Sequence, residues 1–326
     1  MFLAGDVGGT KTLVGLYDAG DRRPRLIAAR SYATNTYRSF TEILSAFARD
    51  VPCPSGVAGA AVGVAGPVVG DRARLTNIEW DISTQEIAAA LGTTRVRLLN
   101  DLEAMANAAD SLATDELVVL QRGIPRDDGN AVVIAAGTGL GEAYLYRMNG
   151  RLVPAPSEGG HADFAPHTDR EIDLLRMLRD CYGRAEVEHV LSGPGLLNLH
   201  RFTHDGEDCP SVRGTDDIGA PAGISQAALQ GTCSRCVEAL SIFVSVYGAE
   251  AGNLALRGVA TSGVYVGGGI APKILPALQD GRFMDAFRDK GVMSELAARV
   301  PVKVILADAG LLGAALCAQN MSAHLW

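Results

Sequence analysis

The feature that most constrains the fold of this chain is a pattern that occurs twice. Leu3–Gly20 reads LAGDVGGTKTLVGLYDAG, and Ile134–Gly150 reads IAAGTGLGEAYLYRMNG. Each is an apolar strand, a Gly-rich hairpin turn, a second strand and a second turn. Any two β-hairpins share part of that plan. A recurrence after about one domain length suggests two lobes of similar topology. At 326 residues the chain is also long for a single core.

The rest of the chain alternates strand and helix signals, so the expected class is α/β. Strands are expected at Phe2–Asp6, Thr12–Tyr17, Leu26–Ser31, Gly59–Ala65, Val96–Asn100, Ala131–Ala136, Ala143–Tyr146, Gly263–Val266 and Pro301–Leu306. Helices are expected at Phe40–Asp50, Leu102–Ala109, Asp169–Cys181, Gly195–Thr203, Ser225–Leu256 and Gly310–Gln319. Thr203–Gly223 is polar and rich in Gly, Asp and Pro, which reads as a loop.

The net charge is −8, where a nucleic-acid binder is expected to show a basic face. The first ten residues lack the basic region and longer apolar core of a signal peptide. No run of about 18 uninterrupted apolar residues occurs, so no membrane span is expected. Six cysteines (Cys53, Cys181, Cys209, Cys233, Cys236, Cys317) are scattered, which suits reduced thiols and a cytoplasmic location. Cys233-Ser-Arg-Cys236 is one CxxC with no second pair nearby, half a zinc site within a helical pattern.

Five segments carry chemistry. In Gly5-Asp-Val-Gly-Gly-Thr10 a strand delivers Asp6, and the chain then turns on Gly8 and Gly9. Bare backbone there lets N–H groups approach phosphate oxygens, Thr10 adds a hydroxyl, and Asp6 suits Mg²⁺ directly or through water. An ordinary Gly hairpin has the same appearance. Gly137-Thr-Gly-Leu-Gly141 offers the same donors through Gly137, Thr138 and Gly139, without a carboxylate. No Gly-Lys-Ser/Thr follows it, and both clusters lie between strands instead of opening a helix, which weighs against a nicotinamide enzyme. Gly267, Gly268 and Gly269 follow a strand and could bare the backbone to a flat ligand such as adenosine, or form a simple turn.

Asn100-Asp101 ends a strand and starts a helix. Either residue could merely cap that helix. Asp101 could equally be a general base that takes the proton of a sugar hydroxyl, with Asn100 holding a neighbouring hydroxyl. Ser157-Glu-Gly-Gly-His-Ala-Asp163 sets Glu158 and His161 either side of two glycines, a pair able to accept from and donate to one polyol. Glu188 is a further polyol candidate, or only a glutamate on a short helix. A metal set of His161, Asp163 and His167 is conceivable but has few convergent donors.

Taken in order, these segments resemble the bacterial glucokinase family of the hexokinase–actin–heat-shock-ATPase superfamily. The carrying segments are Gly5–Thr10, Leu99-Asn-Asp101, Gly137–Gly141, Glu158-Gly-Gly-His-Ala-Asp-Phe-Ala-Pro166, Val190-Leu-Ser-Gly-Pro-Gly195 and Gly267-Gly-Gly-Ile-Ala-Pro272. The resemblance implies a two-lobed hexokinase/actin-like (ribonuclease H-like) fold with the active site in the interlobe cleft. It implies a small domain of residues 1–108 plus 308–326 and a large domain of 109–307. Asp6, Gly8, Gly9 and Thr10 would form the first phosphate loop, with Mg²⁺ near Asp6. Gly137, Thr138 and Gly139 would form the second, and Gly267–Gly269 part of the adenosine pocket. Asp101 would be the base, and Asn100, Asp101, Glu158, His161 and Glu188 would hold glucose. The implied reaction is ATP-dependent phosphorylation of glucose at its 6-hydroxyl, in a cytoplasmic homodimer without nucleic-acid or membrane partners. The related sugar kinases and repressors carry a cysteine-rich zinc motif beside the sugar-binding histidine. Here His161 is followed by Ala-Asp-Phe-Ala-Pro, with no cysteine, which argues against structural zinc. A kinase for another hexose or an N-acetylated amino sugar, or a non-catalytic sugar sensor, remains open on the same fold.

Overall fold

The computed structural model describes residues 1–53, 56–75, 78, 80–207, 209–213 and 219–322. They fall into two compact units, Met1–Ala113 with the chain from Ala307 onward, and Thr114–Leu306.

In the first unit, β1 (Phe2–Val7), β2 (Lys11–Asp18), β3 (Arg25–Ala33), β4 (Gly59–Val64) and, after three short strands β5–β7 (Val68–Val69, Arg72–Arg74, Asp81–Ser83), β8 (Val96–Asn100) build the framework. The main sheet runs β3-β2-β1-β4-β8, and β5–β7 form a small sheet of their own. Strand β1 is antiparallel to β2 and parallel to β4, which is parallel to β8. Every residue of β4 is buried, because helices cover both faces of such a strand and leave no place for a polar alternation. Helix α1 (Phe40–Asp50) starts where Ser39 Oγ accepts the Glu42 N–H, and it buries Phe40, Ile43, Leu44 and Phe47, one stripe at helical spacing. Burying a side chain such as Phe47 contributes about 2 kcal/mol. Helix α2 (Thr84–Leu91) and helix α3 (Asp101–Ala108) follow. The C-terminal helix Ala309–Ser322 packs on β1, β4 and α3. At Gly313 an added Cβ would strike the Ala104 carbonyl, so this contact is backbone against backbone and requires glycine.

The second unit has β9 (Leu117–Gln121), β10 (Ala131–Ala136), β11 (Leu140–Met148), β12 (Arg151–Ser157), β13 (Gly263–Gly267) and β14 (Val302–Ile305), in the order β12-β11-β10-β13-β14-β9. Strand β10 is antiparallel to β11 and parallel to β13. Apart from β9, this is the plan of the first sheet, so the recurrence in the sequence reflects a shared topology. Helices α4 (Asp169–Tyr182), α5 (Gly193–His204), α6 (Ala220–Gln230) and α7 (Ser234–Gly258) complete the larger elements.

Two expectations need correction. The periodic run Ser225–Leu256 is two helices: Gly231, at φ 66°, ends α6 in the left-handed region, and the chain restarts at Ser234. The expected loop Thr203–Gly223 contains the end of α5, a 3₁₀ turn at Pro210–Val212 and the start of α6, while Asp208 and residues 214–218 lie outside the described residues. Helix α7 has the length and composition of a membrane span, but 72% of its most apolar window is buried inside the protein. Its Tyr247 meets Phe243 and Phe283 edge to face, and Phe283 in turn stacks on Phe287.

Candidate active site

In the first unit the C-terminal ends of parallel strands gather carboxylates, the usual place for a ligand in an open α/β sheet. Asp6 is the last residue but one of β1, and Asp101 follows β8 as the first residue of α3. Burial, and after it the charges of Asp101 and Asp308, raise the Asp6 pKa to about 6, with Lys11 opposing them. Gly310, in the first turn of the C-terminal helix, lies so close that a Cβ would come within 2.8 Å of Asp6 Oδ2. Asn100 caps α3: its Oδ1 accepts the Leu102 N–H at 2.9 Å, and its amide donates to the Gly66 carbonyl at 3.2 Å. Asp101 Oδ1 accepts the same Leu102 N–H at 2.9 Å. The capping reading of this pair is therefore correct as structure. Asp101 still reaches solvent, but the surrounding protein raises its pKa, while the hydrogen bonds from Leu102, its own backbone and Asn100 hold it down.

The first Gly turn is a tight hairpin in which Gly8 N–H donates to the Lys11 carbonyl at 3.0 Å. That amide is committed to the turn, which leaves Gly9, Thr10 and the Thr10 hydroxyl at its tip. Two buried threonines support the turn from below. Thr34 Oγ1 donates to the Gly8 carbonyl at 2.8 Å and lies 2.9 Å from Thr12 Oγ1, and Thr34 N–H donates to the Thr10 carbonyl.

In the second unit, the turns after β10 and β13 stand side by side. Gly268 has φ 84° and packs on Ala136, where a Cβ would strike backbone. Tyr247, fully buried, binds both turns: its hydroxyl accepts the Ala136 N–H at 3.2 Å and reaches the Gly267 carbonyl at 3.2 Å. Gly193, which opens α5, donates to the Gly137 carbonyl at 2.8 Å, so the N-terminus of that helix abuts the turn. A helix N-terminus there favours an anion.

Glu188 is not a freely exposed glutamate. Its Oε2 accepts the Leu140 N–H at 2.7 Å, directly under Gly139. Glu158 and His161 flank a 3₁₀ turn in which His161 N–H donates to the Glu158 carbonyl. Gly160 packs so tightly on the Leu140 carbonyl that a Cβ would clash. The polyol candidates Glu158, His161 and Glu188 thus border the second Gly turn. His161 Nδ1 pairs with Glu186 Oε2 at 2.8 Å, and that hydrogen bond raises the histidine pKa. The metal set of His161, Asp163 and His167 does not form: Asp163 pairs with Arg184 at 2.7 Å, and His167 with Asp289 at 3.2 Å.

Residues 3–321 match the sequence model of the family described as glucokinase. The chain is 37% identical to a glucokinase of Synechocystis sp., covering 97% of each chain. It is 36% identical to a glucokinase of Cronobacter sakazakii, covering 96% of this chain and 95% of that one. The chain belongs to the glucokinase family.

Solved structures agree in fold. A crystal structure of a glucokinase from an Antarctic psychrotroph is 30% identical and superposes with a TM-score of 0.87 over 98% of both chains. A glucokinase from Balamuthia mandrillaris in complex with glucose has a TM-score of 0.80 at 22% identity, over 98% of this chain and 93% of that one. Within this glucokinase-family chain, four residues around the motifs escaped the sequence reading. Asp308 could have been suspected from the small Ala309-Gly310 pair after it. Glu186 lies two residues before Glu188 and had no periodic signal. Thr34 touches the first turn only because β3 brings it beside β2. Glu142 lies inside β11, 1% exposed, with neither carboxylate oxygen hydrogen-bonded. Burial, and after it the Glu250 charge, raise its pKa to about 7, with Arg257 opposing them.

Proposed function

We propose that this chain is a glucokinase that transfers the γ-phosphoryl group of ATP to the 6-hydroxyl of glucose. The observation that carries the proposal is Asp101. A carboxylate at a strand end, held by Asn100 and the Leu102 N–H and with a raised pKa, is suited to accept a hydroxyl proton, which supports this reading. The backbone donors at Gly9, Thr10 and the Gly137–Gly139 and Gly267–Gly269 turns would hold the nucleotide. Asn100, Glu158, His161 and Glu188 would hold the sugar, with Glu186 fixing the His161 ring and Leu140 fixing Glu188. One Glu188 oxygen is committed to Leu140, so the other is the one that serves a hydroxyl.

Asp6 and Asp308 fit a hard cation: burial first, and then the charges of Asp101 and Asp308, lift the Asp6 pKa to about 6, so a divalent cation there would relieve both. Mg²⁺ bound there with the nucleotide would supply neutralisation of phosphate charge. Asp101 would take the 6-hydroxyl proton as the oxygen attacks the γ-phosphorus in line. A homodimer and a cytoplasmic location belong to the same proposal and rest on the family resemblance.

A coupled ADP-release assay across glucose, mannose, fructose and N-acetylglucosamine, with ATP, ADP and polyphosphate as donors, tests the reading. Glucose with ATP should give the highest kcat/KM. Asp101→Ala should lower kcat about 10²–10⁴-fold, the usual contribution of a general base, with glucose binding retained. Near wild-type turnover in that variant would remove Asp101 from the mechanism.

A further inference from the structure

The Cys233-x-x-Cys236 pair has partners that sequence spacing did not reveal. Helix α5 ends at His204, and Asp205 (φ 49°) and Gly206 (φ 80°) then turn the chain sharply. That reversal returns Cys209 to the start of α7, where Cys233 is the N-cap and Cys236 lies in the first turn. Arg235 holds the turn in place, donating to the His204 carbonyl and pairing with Glu207 at 2.7 Å.

The side chains converge. Cys209 Sγ lies 3.7 Å from Cys236 Sγ. His204 Nε2 lies 3.4 Å from Cys233 Sγ and 4.0 Å from Cys236 Sγ. A tetrahedral zinc ion with ordinary bond lengths has sulfur–sulfur edges of about 3.8 Å and sulfur–nitrogen edges of about 3.6 Å. His200, one helical turn before His204, is buried and brings a ring nitrogen into the same group: its donor and those of His204, Cys209 and Cys236 all lie within 4.8 Å of one another.

Two further observations point to a ligand. His200 Nε2 is buried with no hydrogen-bond partner. His204 directs Nδ1 to the His200 carbonyl at 2.9 Å, which leaves Nε2 as the lone-pair nitrogen facing the thiols. A backbone carbonyl on the far ring nitrogen is the usual support of a metal-bound histidine. An access route exists as well, since His204, Cys209 and Cys233 line a pocket of about 610 Å³.

We propose that this cluster binds one zinc-class divalent cation, held by His204, Cys209 and Cys236. Cys233 flanks the fourth place from the pocket side and His200 from the buried side. Thiolate and imidazole donors in a tetrahedral arrangement select zinc over the oxygen-seeking cations. The ion would join the end of α5, the Cys209 segment and the start of α7. The ligand pattern, His-x3-His-x4-Cys and Cys-x2-Cys, is separate from the segment after His161, where the absence of cysteine argued against zinc.

The test uses the full chain. Purified without chelator from zinc-supplemented cells, the protein should hold about one zinc per chain by elemental analysis. Wild-type protein stripped by chelator under reducing conditions and titrated with Co²⁺ should show thiolate charge-transfer and tetrahedral d–d bands. These should saturate at one equivalent and bleach on addition of zinc. That measurement does not depend on any variant folding. Cys236→Ser and Cys209→Ser should each weaken Co²⁺ binding at least tenfold. Whichever of Cys233→Ser and His200→Gln does the same identifies the fourth ligand. Absence of cobalt bands in the reduced wild type, or equal metal content in Cys236→Ser and wild type, would overturn the proposal. So would a metal-free protein in which Cys209 and Cys236 are joined as a disulfide.

Discussion

Replacing Glu142 by Gln should stabilise this protein, and increasingly so as the pH rises. Glu142 is 1% exposed, and neither of its oxygens has a partner. Glu250, paired with Arg257 at 2.6 Å, disfavours a negative charge on Glu142. Burial and that repulsion lift the Glu142 pKa from 4.5 to about 7. The sign follows from proton linkage. The native state keeps the proton where the unfolded chain has already released it, so stability is fully present below pH 4.5 and is lost as pH rises through about 7. Between pH 5 and 8 this single group should cost about 2.5 kcal/mol, on the order of 1.4 kcal/mol per pKa unit less the part already lost at pH 5. Gln keeps the shape and cannot ionise. Urea unfolding of wild type and Glu142→Gln at pH 5, 6, 7 and 8 isolates the effect, because other titrating groups cancel in the difference. The variant's advantage should grow by about 2.5 kcal/mol between pH 5 and pH 8. A difference that stays constant with pH, or a variant that is weaker at pH 8, would refute the reasoning.

Other perturbations test the site residue by residue. Glu186→Gln removes the main cause of the raised His161 pKa; an NMR titration should show that histidine moving down, and the glucose KM should rise more than kcat falls. The His161–Glu186 ion pair should hold from above the Glu186 pKa, kept below 4.5, up to the His161 pKa, kept above 6.5, and be lost as pH rises through the latter, a sign opposite to that of a buried neutral histidine. Gly160→Ala forces a Cβ against the Leu140 carbonyl and should lower stability by about 1–3 kcal/mol and raise the glucose KM, read by calorimetry and steady-state kinetics. Thr34→Val leaves the Gly8 carbonyl and the Thr12 hydroxyl without their partner, costing about 1–2 kcal/mol, and should raise the KM for ATP.

What the sequence revealed tracks how local each signal was. Strands β4, β10 and β13 are buried throughout, so their apolar runs were plain without any knowledge of neighbours. Strand β12 escaped because Pro154 and Pro156 argue against a strand; it lies at the sheet edge, where a missing N–H costs little. Helix α2 is too short to establish a period. The join between α6 and α7 was hidden because both sides keep apolar periodicity, and only the left-handed Gly231 separates them. The motif residues Asp6, Asp101, Glu158 and His161 stood out because glycines or a strand end punctuate them. Their supports were invisible. Glu186, Thr34, Tyr247 and Asp308 act through contacts that exist only after distant strands and helices pair. Glu188 shows the limit from the other side, since a candidate sugar ligand turned out also to hold a backbone amide of the second Gly turn. Cys209 and His204 lay in a segment read as a loop, so the CxxC was left as half of a constellation.

The C-terminal helix has a consequence for the order of events during synthesis. With Asp308 just before it, it brings Gly310 beside Asp6 and covers α3 at Gly313, yet it leaves the ribosome only after the whole of the second unit. At roughly 5–20 residues per second, the nascent N-terminal sheet waits on the order of tens of seconds with the small, glycine-rich faces of β1 and β4 uncovered. The second unit, continuous in sequence, can finish folding in that interval. The acidic cluster at Asp6 is therefore completed last, and a ribosome-bound or truncated chain lacks it even when most of the protein is already folded.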